Sequence, residues 1–217
     1  MLTGYRKIED LPQVIPVFPL DGAVLLPGGQ LPLNIFEPRY LNMLDDAMAG
    51  DRMIGMIQTL PGGDRERPLL APVGCAGRVT SFAETQDGRY LITLTGVCRF
   101  RLAEELNLKT PYRQARADFA AFVDDLQPAD TVVFERRPFL NAMKHYLEAR
   151  GLAVDWEAAE AAPGDALIDS LSMGLPFEPN EKQALLEART HADRAEILLA
   201  LMEIGSVLGD DEAGSIQ

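Results

Sequence analysis

The side chains that most often act as nucleophiles, bases or metal ligands are scarce in this sequence. The two histidines, His145 and His191, fall in predicted helices or helix starts without a partner at ligand spacing. We interpret both as surface or helix-cap residues. The two cysteines, Cys75 and Cys98, are 23 positions apart, which fits no metal-binding spacing. Because free cysteines in strands are usually small buried residues, we expect core positions and no catalytic thiol.

Other motifs that would carry chemistry are also missing. A phosphate-binding loop requires glycine followed by Lys and Ser or Thr, and the sequence has no Gly-Lys pair. The glycines of Gly28-Gly29 and Gly62-Gly63 follow prolines and open no helix, which predicts turns. Because the sequence has 33 carboxylates, adjacent pairs such as Asp45-Asp46 and Asp124-Asp125 are expected by chance and do not indicate a site. We therefore predict no catalytic residue, no metal and no cofactor, with a carboxylate-based enzyme as an alternative.

The acidic excess of the chain is confined to its second part. Residues 1–117 hold 13 acidic and 13 basic side chains, whereas residues 118–217 hold 20 and 7, which accounts for the whole net charge of −13. Such a surface repels nucleic acid and anionic lipid, so nucleic acid is disfavoured as a partner and no membrane is expected. The first fifteen residues lack the apolar core of a signal peptide, which predicts a cytoplasmic protein.

Residues before about 125 have the pattern of strands. The dipeptide Asp87-Gly88 predicts a hairpin turn, Pro38 opens a helix that Gly50 ends, and residues 61–64 read as a loop. Six or seven strands with one early helix predict a small barrel or sandwich, because no helix follows each strand as a parallel sheet would require. The predicted strands are Val14–Pro19, Ala23–Leu26, Leu31–Phe36, Met53–Gln58, Val73–Phe82, Arg89–Phe100 and Tyr112–Phe122.

After Pro128 the pattern changes to helices. Helices are predicted over Thr131–Arg150, Asp165–Met173 and about 191–208, with capping boxes at Asn180/Gln183 and Thr190/Asp193. The predicted organisation is α+β: a β-rich subdomain over residues 1–125, a helical subdomain over 126–208 and a flexible acidic tail over 209–217.

Several ordered blocks of the sequence resemble one family. Together they span about residues 12–208 and are similar to the amino-terminal, substrate-binding domain of the Lon protease, in particular to its free-standing bacterial members. The blocks are Val17–Leu20, Val24–Gly28, Leu31–Leu33, Ile35–Tyr40, Val73–Arg78, Leu94–Phe100, Asp169–Leu171, Leu175–Pro176 and Glu181–Glu187.

This resemblance implies a PUA-like β-pseudobarrel followed by a helical bundle. It also implies a non-catalytic polypeptide-recognition or adaptor module, not an enzyme, that lacks the ATPase and peptidase parts. Its expected partners are unfolded or extended polypeptides and a protease, and an oligomer is compatible with the pattern. Strands broken by proline leave backbone groups unpaired at an edge, where an extended peptide can add.

Six residues are candidates for an apolar peptide-binding patch with arginines at its rim. For Phe36 and Phe100 the alternative is a core position. For Arg39 and Arg99 it is the anchoring of loops through hydrogen bonds to carboxylates or carbonyls. The candidates are Phe36, Pro38, Arg39, Tyr40, Arg99 and Phe100.

RNA binding is the main rival function, because PUA-like folds often bind RNA and an arginine cluster would serve it. A small-molecule enzyme is the third hypothesis. An apolar groove would favour peptide binding. A contiguous arginine face would favour RNA binding, and a closed polar pocket would favour an enzyme. The arginines in question are Arg65, Arg67, Arg78, Arg89, Arg99, Arg101, Arg113 and Arg116.

Overall fold

The structure is a computed structural model that describes residues 4–64, 67–128 and 134–214, with side chains described for 4–62, 67–128 and 134–207. The chain divides into two compact units, which are described separately. The first comprises Met1–Pro128 and Pro176–Leu186, and the second Ala129–Leu175 and Glu187–Gln217. The predicted boundaries of the subdomains, at residues 125 and 208, remain a prediction.

The regular elements confirm an α+β fold. Short 3-10 helices precede the first strand and follow the sixth, at Ile8–Asp10 and Ala120–Leu126. The strands and α-helices in chain order are β1 (Val14–Pro19), β2 (Gln30–Ile35), α1 (Pro38–Ala49), β3 (Met53–Asp64), β4 (Arg67–Glu84), β5 (Tyr90–Leu106), β6 (Arg113–Asp118), α2 (Arg136–Ala149), α3 (Trp156–Ala161), α4 (Gly164–Gly174), α5 (Pro179–Glu187) and α6 (His191–Gly214).

Five strands of the first unit close into a ring. They pair in the order β5, β4, β3, β1 and β6, and β6 pairs again with β5. Strands β1 and β3 run parallel, with Val17 opposite Gly55, and the other neighbours are antiparallel. A closed ring leaves no free edge, which is how small barrels protect their backbone groups. The predicted barrel is confirmed.

Strand β2 lies outside the ring and forms a three-stranded extension, here called the ribbon. The ribbon consists of β2, the Thr80–Glu84 end of β4 and the Tyr90–Thr95 end of β5. Pairing between β3 and β4 ends at Met53 opposite Arg78, whereas β4 and β5 continue to their turn. There β2 pairs with β5 on its other side, from Gln30 opposite Thr95 to Ile35 opposite Tyr90. The predicted Asp87-Gly88 turn is confirmed, with Gly88 at φ +77°.

The interior of the ring is filled around Phe100, which is fully buried. Its ring lies 6.2 Å from that of Phe119, and a Cβ added at Gly74 would lie 2.8 Å from a Phe100 ring carbon. Glycine is therefore needed where the aromatic ring approaches the backbone. Cys75 and Cys98 are also fully buried, which confirms the prediction of core cysteines.

The predicted strand Ala23–Leu26 is wrong, although Val24, Leu25 and Leu26 are buried as a strand core would be. The segment crosses β5 at one point. The Gly28 amide donates to the Gly96 carbonyl at 2.9 Å, and a Cβ on Gly96 would lie 2.0 Å from the Leu26 carbonyl oxygen. Apolar burial identified a core segment, but burial alone does not distinguish a strand from a packed loop.

Residues 61–64, predicted as a loop, belong to β3. The strand passes this proline-glycine sequence with a register shift between Leu60 and Gly63, where Gly62 takes φ +100°. A second boundary also differs, because the predicted strand Tyr112–Phe122 ends at Asp118. There the Asp118 carboxylate accepts from the Ala120 amide at 2.9 Å and begins a 3-10 turn. Local side-chain bonds of this kind compete with strand pairing.

Helix α5 is tied to the strands of the first unit. The buried Gln58 side chain donates to the Pro179 carbonyl at 2.9 Å and to the Gln183 side chain at 3.0 Å, and the Gln183 amide donates to the Val73 carbonyl at 3.1 Å. The predicted Asn180/Gln183 capping box is wrong, because α5 begins at Pro179 and Asn180 lies inside its first turn. The Glu181 carboxylate accepts from the Glu178 amide at 2.8 Å instead.

In the second unit, α6 packs against α2 and α4. The predicted Thr190/Asp193 capping box is confirmed, since each side chain accepts from the other residue's amide, at 3.0 and 3.1 Å. Helix α2 begins at Arg136, and positions 131–133 of its predicted start lie outside the described residues. Helix α6 continues to Gly214, past the predicted end at 208.

Candidate functional site

Three of the six candidate residues lie together at the junction of β2 and α1. Pro38 is the first residue of α1, where its missing amide hydrogen costs nothing, and it is exposed together with Phe36 and Arg39. Phe36 is 61% exposed, which is unusual for a phenylalanine. Arg39 pairs with the Glu37 carboxylate at 2.8 Å. The sequence therefore places an apolar side chain and a polar rim at one surface position.

Tyr40, the fourth candidate, is buried beneath this surface. Its ring centroid lies 4.4 Å from that of Phe18, and the Arg39 guanidinium covers it at 4.6 Å from the ring centroid. Burial raises the pKa of its hydroxyl above the usual value. Tyr40 fixes α1 against β1 and lies below the exposed residues.

Arg99 and Phe100 are consecutive residues of β5 and lie apart from the other candidates. Phe100 points into the ring, whereas Arg99 lies on the opposite face of the strand, against the 3-10 helix Ala120–Leu126 and Leu186. Arg99 is 5% exposed; its Nε and Nη2 donate to the Asp125 carboxylate at 2.9 and 2.8 Å, and its Nη1 donates to the Leu186 carbonyl at 3.0 Å. Burial works against the charge of the guanidinium, but the hydrogen bonds that it donates to Asp125 and the charge of that carboxylate raise its pKa overall. The structure agrees with the alternative interpretations of the sequence for these two residues. Arg99 is an anchoring arginine and Phe100 is a core residue.

The exposed apolar residues of the first unit include a group on the ribbon. The register places Asn34, Leu91 and Ala83 side by side on the face opposite Ile35 and Tyr90. Leu91 is 46% exposed. Phe36 follows Ile35 and lies next to the turn, where the Arg89 guanidinium is 5.9 Å from the centroid of its ring. Phe36 and Leu91 therefore give the outer face of the ribbon an apolar surface.

The other face of the ribbon carries Phe82 at its edge. Phe82 is 42% exposed, and its ring centroid lies 5.0 Å from that of Tyr90. The Tyr90 hydroxyl donates to the Asp45 carboxylate of α1 at 3.1 Å, which holds the tyrosine in place. The ribbon surface is defined here as Phe36, Phe82, Tyr90 and Leu91 together with the two outer strand edges.

Both outer strands of the ribbon have an unpaired edge within the part of the chain that the structure describes. Strand β2 pairs with β5 alone, and Thr80–Glu84 of β4 likewise pairs with β5 alone. The β2 edge contains Pro32, which has no amide hydrogen, whereas Thr80–Glu84 contains neither proline nor lysine. Natural edge strands usually carry such residues to prevent pairing with other chains. The β4 edge is therefore open to an added strand.

No constellation typical of catalysis is found among the described residues, where no group of His, Cys, Asp and Glu is placed to hold a metal ion. His145 is exposed, and His191 begins α6 with its Nε2 at 3.2 Å from the Asp169 carboxylate, as expected of a surface and a helix-cap residue. The same carboxylate binds the buried Arg194 at 2.6 Å, so the cluster joins α4 to α6. Burial raises the pKa of the thiols of Cys75 and Cys98, which disfavours their nucleophilic form.

Sequence reasoning missed Phe82, Tyr90 and Leu91 as parts of the ribbon surface. A signal for Leu91 was present, since it is an apolar residue at an outward position of a strand whose inward face is Tyr90, Ile92 and Leu94. The exposure of Phe82 had no such signal, because it depends on where β3 stops pairing with β4.

The fold is that of the amino-terminal domains of Lon proteases. The crystal structure of a Lon N-terminal domain protein from Xanthomonas campestris superposes with a TM-score of 0.62 at 24% identity, covering 86% of this chain and 97% of that one. The N-terminal domain of Mycobacterium avium complex Lon protease gives 0.60 at 15% identity, covering 87% and 97%. Residues 14–203 match the family model of the ATP-dependent protease La (LON) substrate-binding domain, and the chain belongs to that family.

Curated relatives extend this similarity across most of the chain. Lon protease 2 of Myxococcus xanthus is 30% identical over 209 residues, which cover 92% of this chain and 24% of that protein. Lon protease of Anaeromyxobacter dehalogenans is 26% identical, with 89% and 23% covered. The chain thus spans about a quarter of the length of these relatives. In the described residues no helix is both long and apolar enough to cross a membrane.

Proposed function

We propose that this chain is a non-catalytic polypeptide-recognition module that binds unfolded or extended polypeptides at the ribbon surface. The observation that carries the proposal is the open Thr80–Glu84 edge with exposed apolar side chains beside it. Backbone hydrogen bonds to such an edge give affinity for any extended chain, and apolar contacts to alternate side chains add selectivity. The family description as a substrate-binding domain supports the same function.

Under this proposal, only the exposed members of the six candidate residues contact the polypeptide. Phe36, with Pro38 and Arg39 beside it, would contact a bound polypeptide, whereas the buried Tyr40, Arg99 and Phe100 would hold the surface in shape. A role as an adaptor that brings polypeptides to a protease is the corresponding cellular proposal. In it the chain supplies binding alone and no hydrolysis.

RNA binding has less support from the arginines. Arg67 and Arg113 both pair with Glu105, Arg99 pairs with Asp125, and Arg116 lies 3.5 Å from Glu104. Arg65 lies outside the described residues. Because a nucleic-acid groove needs guanidinium groups that are available to phosphates, arginines already opposite carboxylates contribute little.

The test measures binding of fluorescein-labelled, unstructured peptides by anisotropy. Phe82→Ala should weaken binding by about tenfold, since it removes an apolar contact at the open edge, and Phe36→Ala should weaken it to a smaller extent, because Phe36 follows β2 on the other side of the ribbon. Leu108→Ala is the matched control, because Leu108 is 50% exposed in the loop after β5, at the opposite end of that strand from the ribbon. Equal weakening by all three variants, or no saturable binding across a broad peptide panel, would contradict the proposal.

A further inference from the structure

A polar cleft of about 450 Å³ opens where α1 leads into β3, and the ribbon surface does not include it. Arg52 and Arg78 line the cleft together with the Tyr5 ring. Carboxylates of Glu9 and Asp51 contribute to its walls. The volume is in the range of small-ligand sites, roughly 300 to 1,000 Å³. The cleft therefore has room for a few residues of a peptide.

Arg52 has a backbone conformation that side chains disfavour. Its φ of 58° is in the left-handed region, where glycine is preferred, and it has the one positive φ among the described non-glycine residues. Its amide donates to the Ala47 carbonyl and its carbonyl accepts from the Val79 amide, both at 2.8 Å, so the conformation is fixed from both sides. Strained residues that the surrounding structure holds in place concentrate at functional sites.

Arg78 is held beside Arg52 by the strand register and by Tyr5. Met53, the residue after Arg52, pairs with Arg78 across β3 and β4. The Arg78 Nη1 donates to the Tyr5 hydroxyl oxygen at 2.6 Å, and its guanidinium lies 5.9 Å from the centroid of the Tyr5 ring. This bond uses the hydroxyl oxygen as an acceptor, so the O–H of Tyr5 can still donate to a ligand. Two guanidinium groups and one phenolic donor thus meet at the cleft.

These two arginines differ from most others of the first unit in their partners. Arg67, Arg99 and Arg113 are bound to carboxylates, whereas Arg52 and Arg78 form no ion pair within the part of the chain described. Asp10, which also lines the cleft, is occupied by the backbone amides of Arg6 and Lys7 at 2.9 and 3.2 Å. Apart from the Arg78 Nη1 bond to Tyr5, the guanidinium N–H groups of Arg52 and Arg78 are therefore available to an anionic ligand.

We infer that this cleft binds the free C-terminal carboxylate of an extended polypeptide, an inference that rests on the proposed polypeptide-binding function. Guanidinium forks match the planar geometry of a carboxylate. Glu9 and Asp51 disfavour a ligand of high negative charge such as a phosphate chain. Carboxylates can instead accept a hydrogen bond from the amide N–H of a C-terminal residue, which shares its Cα with the terminal carboxylate, whereas a methylene group separates the two in an aspartate. Capture of a terminal carboxylate is a recognised way of binding peptides.

The experiment compares labelled peptides of one sequence that end in a carboxylate or in a carboxamide. The carboxylate form should bind about tenfold more tightly to the wild-type chain. Arg52→Gln and Arg78→Gln should each reduce this ratio to near one and leave carboxamide binding unchanged. Arg101→Gln, a change at an exposed arginine of β5, should preserve the ratio. Equal binding of the two peptide forms by the wild type would overturn the inference and leave the ribbon proposal intact.

Two further measurements separate a binding role from a structural one. Arg52→Gly removes the side chain and relieves the left-handed strain, so the melting temperature should not fall while the ratio is lost. A fall of several degrees would show that Arg52 stabilises the fold and would overturn the inference.

Whether an acidic side chain of the ligand can replace the terminal carboxylate is tested with a carboxamide peptide that carries an internal aspartate. If it binds as tightly as the carboxylate form, the preference for a chain terminus is overturned.

A direct probe keeps the two proposals distinguishable. NMR titration with N-acetyl-Ala-Ala and with its amide reports on the Nε–H signals of Arg52 and Arg78. Shifts that appear with N-acetyl-Ala-Ala and not with its amide would support the cleft site, even if none of the longer peptides bound. In that case the ribbon proposal alone would fail. No shift with either compound would overturn the cleft site.

Discussion

Strands β4 and β5 pass through two regions of the first unit in which their side chains have opposite environments. In the ring, the segments from Val73 to Val79 and from Val97 to Phe100 are almost entirely buried, on both faces of the strand. In the ribbon, Thr80–Glu84 is exposed throughout and β5 is buried at alternate positions. The same two strands therefore serve as core in one region and as an accessible surface in the other.

This difference separates stability from recognition along a single pair of strands. Closure by β6 removes the free edges of the ring, whereas the ribbon keeps two. Residues of the ring should therefore determine whether the unit folds, and residues of the ribbon what it binds. The following predictions test this separation, beginning with the largest expected effect.

Two phenylalanines give the sharpest test. Phe100→Ala should lower the free energy of unfolding by about 4 kcal/mol, because the ring is fully buried and leaves a cavity. Phe36→Ala should change it by less than about 0.5 kcal/mol, as is usual for surface positions. Urea denaturation followed by circular dichroism measures both. Similar losses for the two variants would show that the ribbon is part of the folding core.

The buried ion pair of the ring gives the next effect. Arg99→Met should cost about 3 kcal/mol, because it leaves the Asp125 carboxylate buried without its partner. The double variant Arg99→Met/Asp125→Leu should recover most of this loss, since an apolar pair needs no compensation. Denaturation midpoints of the single and double variants decide the matter. A double variant as unstable as the single one would indicate that Arg99 acts through its other contacts, such as the Leu186 carbonyl.

Two tyrosines bind neighbouring carboxylates of α1 from the two regions. Tyr112, which precedes β6, is buried and donates to Asp46 at 2.6 Å, whereas Tyr90 of the ribbon donates to Asp45 at 3.1 Å. Tyr112→Phe should cost about 1 kcal/mol, and Tyr90→Phe should have no measurable effect.

Burial and the Asp46 bond raise the pKa of Tyr112 to about 12, from a usual value of 10.0. Its stabilisation is therefore complete below pH 10.0 and is lost as the pH rises toward 12. Wild type and Tyr112→Phe should converge in stability over that range. A constant difference between them up to pH 12 would contradict the assignment.

The smallest effect concerns Glu105 of β5, which pairs with Arg67 of β4 and Arg113 of β6. Hydrogen bonds from Arg113, and then from Arg67, hold the pKa of Glu105 below its usual 4.5. A carboxylate with a lowered pKa stabilises the fold above the unfolded value, and this contribution is lost as the pH falls below about 4.5. Because the group is partly exposed, Glu105→Gln should cost no more than about 1 kcal/mol at neutral pH. The difference from wild type should shrink when urea midpoints are measured at pH 3, and a difference that persists there would contradict the ion-pair explanation.

The sequence predicted the architecture well where periodicity and turn residues agree. The α+β class, the Asp87-Gly88 hairpin, the helix from Pro38 to Gly50 and the buried cysteines follow from local pattern alone. It failed where one residue type serves two structures. Buried Val24–Leu26 has the composition of a strand but packs as a loop against Gly96, and Pro61–Asp64 has the composition of a loop but continues β3.

The candidate site was harder to predict because exposure depends on strands that meet from distant parts of the chain. Phe36 and Phe100 have the same residue type and both belong to strand-like segments, yet one is 61% exposed and the other is fully buried. The partner strand decides between the two environments, since Phe100 is opposite Gly74 inside the ring. The left-handed conformation of Arg52 had no local signal either, because the nearby Gly50 is the residue that normally takes it.

The position of α5 sets a limit on how the molecule can be divided. Residues Pro176–Leu186 belong to the first unit although the chain on both sides of them belongs to the second. No single cleavage of the polypeptide therefore yields either unit as one uninterrupted fragment. A fragment truncated at Pro128 would lack the α5 groups that bind the Gln58 side-chain amide, the Val73 carbonyl and the Nη1 of Arg99. Expression of the barrel by itself would need residues 176–186 supplied as a separate peptide or rejoined through a linker.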